Sequence, residues 1–212
     1  MGKQATSSRR LRPISSTPPP QEGWRSTRVR LIAVSGLVIL IVAGLVAVAV
    51  TFGASTTTGP GSLPAGTQVF TESDHSHVNG TVTYDHVPPV GGPHNPTQLN
   101  CGIYVIPVPN ENAVHSMEHG AVWITFDPSL PLDQVTTLQQ LVEAHYLGTE
   151  RYLILSPYSG IPSPIVASAW GYQLGVGQAT DPRLIQFINL FAGGGQGGEK
   201  GGPCTGGVGN PL

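Results

Sequence analysis

The stretch Asn112-Ala113-Val114-His115-Ser116-Met117-Glu118-His119-Gly120 runs straight into Ala121-Val122-Trp123-Ile124-Thr125-Phe126. The second half is compact, apolar and rich in β-branched residues, which predicts a buried strand over residues 121–126. Asp127-Pro128 ends it. Pro131 stands at a first helical position, and Leu132, Val135, Leu138, Leu141 and Val142 follow at helical spacing, predicting an amphipathic helix that closes near Gly148. Two further strands are expected over residues 152–155 and 165–170, separated by Pro157, Gly160, Pro162 and Pro164. Asp181-Pro182 supplies a cap followed by a proline, and Leu184, Ile185, Ile188 and Phe191 line one face of a last helix. Strand, helix, strand, strand, helix is the order of a mixed sheet with about two helices packed on it, an α+β or α/β domain.

Upstream the chain is rich in Pro, Gly, Asn and His. Short strands are expected over residues 78–84 and 102–108, with Pro88, Pro89, Pro93 and Pro96 in the long connection between them. Six of the seven histidines fall between His75 and His119, and only His145 lies elsewhere. The box His115-x-x-Glu118-His119 gathers the ligand chemistry, and its backbone decides what it binds. On a helix, with Asn110 as cap and Gly120 as stop, His115 and His119 at i and i+4 share a face suited to zinc, with Glu118 beside them. This is also the H-x-x-E-H form of inverted zinc peptidases, although those carry it on a long helix in much larger chains. In an extended segment His115, Met117 and His119 would share a face, a set suited to copper. His94 and His77 could complete either site. Without any ligand, the same side chains would brace loops by hydrogen bonds. His75 and His86 read as incidental, His145 as a surface residue, and Trp170 and Tyr172 as core residues on a strand.

Charge and hydropathy place this domain outside the cell. Seven of the ten basic residues precede Leu31, whereas beyond the apolar run three basic residues face eleven acidic ones, a net charge of −8. Such a surface repels phosphates and excludes nucleic-acid binding. Residues 31–53 carry no charge, and 23 helical residues span about 35 Å, enough to cross a bilayer. The basic flank orients the N-terminus to the cytoplasm. A cleaved signal peptide is the rival reading, with an apolar region usually shorter than this one. The expected organisation is a disordered basic cytoplasmic tail over 1–30, a single-pass transmembrane helix over 31–53, a flexible linker over 54–68, an extracytoplasmic domain over 69–192 and a loose Gly-rich tail over 193–212 that Cys204 would tie back. Cys101 and Cys204, both exported, are expected to form a disulfide, the alternatives being free thiols or Cys101 as a metal ligand.

Residues 78–84 following His77, Pro88-Pro89 with Gly92-Pro93-His94, Cys101-Gly102-Ile103-Tyr104, the box from Val114 to Val122, and Ala169-Trp170-Gly171 occur in that order. Together they resemble the domain of unknown function 3105 family, found largely in membrane-anchored bacterial proteins. The resemblance covers roughly residues 69–192 and implies no activity. Where the family's usual box reads PPTSGxH, this chain has Pro88-Pro89-Val90-Gly91-Gly92-Pro93-His94, which argues against a serine nucleophile there. No P-loop, Rossmann fingerprint or G-x-S-x-G elbow is present. The expected function is binding of copper or zinc by an envelope protein through His115, His119, Glu118, His94, His77 and Met117. The alternatives are a metal-free interaction module in the envelope and a metal-dependent hydrolase.

Overall fold

The computed structural model describes residues 61–145 and 150–212. The expected membrane span over 31–53 and the tail before it lie outside these residues. Among the described residues no helix is long and apolar enough to cross a membrane.

The buried strand after the histidine box forms as expected and is the spine of the domain. This strand, β3 (Val122–Phe126), is buried at all five positions because both faces of the sheet are covered. It pairs in parallel with β4 (Leu153–Pro157), with Trp123 opposite Ile154 and Ile124 opposite Leu155. On its other side it pairs antiparallel with β5 (Ile165–Ala169), which continues antiparallel into β6 (Tyr172–Val176). Two short strands close the edges, β1 (Gln68–Val69) on β6 and β2 (Gly102–Ile103) on β4. The six-stranded mixed sheet of the described residues runs β1-β6-β5-β3-β4-β2.

Alternation along β3 divides the core. Val122, Ile124 and Phe126 face one layer, where they pack with Leu138 and Val142 of α2 (Leu132–Ala144) and with Leu184, Phe187, Ile188 and Phe191 of α3 (Pro182–Phe191). Trp123 faces the other, with Ala113, Val114 and Met117 of α1 (Asn110–Glu118). The domain is thus α+β, with three helices among the described residues. The histidine box itself is the helix beyond the expected two.

Several boundaries moved for identifiable reasons. No strand forms over residues 78–84. His77 makes only an isolated bridge to His94, and the Val82 amide donates to Glu111 at the start of α1 instead of to a strand. The strand expected over 102–108 stops after Ile103, and Val105 and Ile106 are exposed beside Pro107. A two-residue turn, Trp170-Gly171, folds the expected strand 165–170 back into β6, which the buried Gln173 obscures in the sequence. That polar side chain is satisfied by the Pro88 carbonyl at 3.0 Å and the Ser168 hydroxyl at 3.2 Å. Helix α3 starts at its expected cap, with the Arg183 amide donating to Asp181 at 2.9 Å. Its buried face uses Phe187 in place of the exposed Ile185. Helix α2 ends at Ala144, before the expected close near Gly148, which lies outside the described residues.

Residues 193–212 are tied back at Cys204, as expected, and held more closely than a loose tail. Cys204 is bonded to Cys101 across 103 residues with a Cα separation of 5.2 Å. The last residues then run along 98–103: the Asn100 amide donates to Val208, the Asn100 side chain to Gly209 and the Leu212 amide to Ile103. Glycine permits the close approach. A Cβ at Gly197 would stand 2.4 Å from the Glu118 Cα, and one at Gly202 would stand 2.5 Å from the His119 ring. The strap between them lies directly on the end of α1.

Candidate metal centre

Helix α1 decides the geometry left open by the sequence. Its N-cap is Pro109 in extended conformation, not Asn110, and no side chain caps it. Its C-cap is His119. The helical period puts His115, Glu118 and His119 together at one end, with the His115 and His119 Nε2 atoms 3.0 Å apart. Met117, two residues from His115, is turned by the same period into the apolar cluster with Leu99, Trp123 and Ile154 and is fully buried there. The extended, thioether-containing copper set is therefore not formed. Cys101, bonded to Cys204, is not a thiolate ligand either.

Loops bring in the remaining histidines. The backbone amide of Val78 donates to the His94 carbonyl at 2.8 Å, and that of His94 to Ser76 at 3.0 Å, so this short bridge presents His77 and His94 side by side. The His77 ring stacks on that of His115 with centroids 5.0 Å apart. His94 is fully buried, with Trp170 edge-on to it. Ligand atoms of His77, His94, His115 and Glu118 all lie within 4.8 Å of one another, as do those of His115, His119 and Glu199.

The orientation of three of these rings follows from their partners. His94 Nδ1 lies 2.8 Å from the Gly92 carbonyl, His115 Nδ1 2.6 Å from that of Asn95, and His119 Nδ1 2.7 Å from that of Pro203. A carbonyl oxygen only accepts, so each Nδ1 carries a hydrogen, and in its neutral form each ring presents a bare Nε2 to the centre. Histidines that ligate metals through one nitrogen are held in this way through the other. His94 Nε2 then stands 2.8 Å from Glu118 Oε2, an approach close enough for an ion pair. Both atoms are nevertheless buried without a hydrogen-bond partner. Two acceptors facing each other away from water are costly unless a cation lies between them. The other carboxylate oxygen, Glu118 Oε1, accepts from His75 Nδ1 at 2.6 Å. Three imidazoles and a carboxylate offer four nitrogen and oxygen donors, a group that could hold a metal ion.

Five of the six expected ligands are thus brought together, and Met117 is not. His75 and Glu199 are additions. His75, read as incidental, stacks on Trp170 at 4.5 Å and orients Glu118. Its only signal was the spacing to His77. Glu199, whose Oε2 lies 3.1 Å from His119 Nε2, is a lone acid in a glycine-rich run, with no local signal at all. His86 pairs instead with Phe70 and Glu72, and His145 lies at the end of α2 against the Arg151 carbonyl.

A family model described as a protein of unknown function (DUF3105) matches residues 75–206. The chain belongs to the DUF3105 family. No curated protein and no solved structure matches it. The DUF3105 segment reaches further than the expected limit of residue 192 and takes in Glu199, Pro203 and Cys204, so the strap over the centre is part of the family domain.

Burial holds the His115 imidazole below its usual pKa, and the neighbouring His119, His94 and His77 add to this. The Asn95 carbonyl works in the opposite direction. The unfolded chain accepts this proton near pH 6.5, whereas the folded chain resists it. Without metal, the domain should therefore hold its full stability above about pH 6.5 and lose part of it as the pH falls below that value. Urea midpoints in excess chelator at pH 7.5 and 5.5 are expected to differ in that direction, and the difference should shrink in His115→Gln. An equal difference in the variant would remove His115 as the cause.

Proposed function

We propose that the domain binds one divalent transition metal, zinc or copper(II), at His77, His94, His115 and Glu118, and that it sequesters or delivers this ion outside the cell membrane. The observation that carries the reading is the buried, hydrogen-bond-free approach of His94 Nε2 to Glu118 Oε2 at 2.8 Å. Nitrogen and carboxylate donors without sulfur favour zinc or copper(II) over copper(I). The net charge of −8 beyond the apolar run draws cations toward the domain. The charge-free run over residues 31–53 and its basic N-terminal flank support a single-pass anchor with this domain on the outer side.

Elemental analysis by mass spectrometry of the full-length protein in detergent, beside a His115→Ala/His119→Ala variant, tests the reading. About one zinc or copper per chain is expected in the wild type and none in a variant that keeps its circular dichroism. A second reading rests on the same Nδ1 contacts: the histidines brace the loops at Gly92, Asn95 and Pro203 without any ion. Protein that stays empty after incubation with excess zinc and copper would leave only that reading.

A further inference from the structure

The two donor groups meet at a single atom. His115 Nδ1 is committed to the Asn95 carbonyl, so its one lone pair, on Nε2, must serve both the group with His77, His94 and Glu118 and the group with His119 and Glu199. An ion in one group takes His115 from the other. The groups also differ in kind. The inner one has four donors, and its carboxylate is buried; the outer one has three, and its carboxylate, Glu199, is 52% exposed. Four donors close a tetrahedral shell, whereas three leave a position open for ligand exchange.

We propose, resting on the metal reading above, that these are two successive stations for one ion. The exposed Glu199 captures a divalent transition metal together with His119 and His115. The ion then passes inward, exchanging Glu199 and His119 for His94, His77 and Glu118 while His115 keeps hold of it. The Gly92 and Asn95 carbonyls hold the Nδ1 atoms of His94 and His115, so both rings turn Nε2 toward the position that the ion would take. Release follows the same route in reverse. The strap that carries Glu199 also supplies the Pro203 carbonyl that orients His119, so one segment gives the outer station a ligand and positions another.

Stopped-flow mixing of the full-length protein in detergent with cobalt(II), followed by the visible absorption of the bound ion, separates the stations. Glu199→Gln should slow both uptake and chelator-driven release by about tenfold, the low end of what a local charge contributes to capturing an ion. The absorption bands of the inner station should persist. Glu143→Gln, which removes the same charge from an exposed position on α2, should leave uptake at the wild-type rate. Uptake by Glu199→Gln at the wild-type rate, or equal slowing in both variants, would overturn the handover while the metal reading stands. A wild type that takes up no cobalt would overturn both.

Discussion

Glu118→Gln is expected to weaken metal binding and strengthen the metal-free fold. The amide keeps the shape of the carboxylate, and its oxygen can still accept from His75 Nδ1, now at 2.6 Å. Its NH2 group would take the place of Oε2, which faces the bare His94 Nε2 at 2.8 Å, and turn two facing acceptors into a donor and an acceptor. Relieving two buried unsatisfied groups should stabilise the metal-free domain by about 1 to 3 kcal/mol. The same change removes the only anionic donor of the inner station. The affinity for zinc should fall by more than about 100-fold, beyond what an outer-sphere partner is usually worth. Chemical denaturation in chelator and zinc competition titrations read the two effects. If His94 and Glu118 were instead a bracing ion pair, breaking it would destabilise the fold and leave zinc affinity unmoved.

Cys101→Ser/Cys204→Ser should produce the largest loss of stability. Opening a bond that spans 103 residues removes about 4 to 5 kcal/mol in the chain-entropy account. For a chain of this size that corresponds to a fall in Tm of roughly 8 to 20 °C. The loss should reach the metal centre as well, because Pro203, next to Cys204, holds His119 through its carbonyl at 2.7 Å. Calorimetry without metal and the rate of cobalt uptake should therefore change together. A variant that melts lower but loads cobalt at the wild-type rate would show that the strap keeps its place through the contacts along residues 98–103.

The core was legible where local rules are strong. A charge-free run buried on both faces, a proline-started amphipathic helix and an Asp-Pro cap each predict one conformation, and β3, α2 and α3 lie where those signals place them. The edges were less legible. Residues 78–84 alternate like a strand, yet find their partners in a helix start and in one bridge to His94, neither of which a local pattern can announce. β6 carries a buried glutamine whose partners come from Pro88 and Ser168, so its polarity concealed its burial.

For the centre, the inventory was readable from the residues alone: histidines concentrated before β3, a carboxylate among them, and two cysteines. It left the backbone of the box undecided, because the ten residues between Pro109 and Gly120 satisfy helical and extended periods alike. Tertiary packing settles it. Packing of Ala113, Val114 and Met117 against Trp123 favours the helix, which removes Met117 from the ligands and aligns His115 with His119. It also brought His75 and Glu199 to the box from 43 and 80 positions away in the chain. Contacts at such separations depend on how the whole chain closes, and no local spacing encodes them.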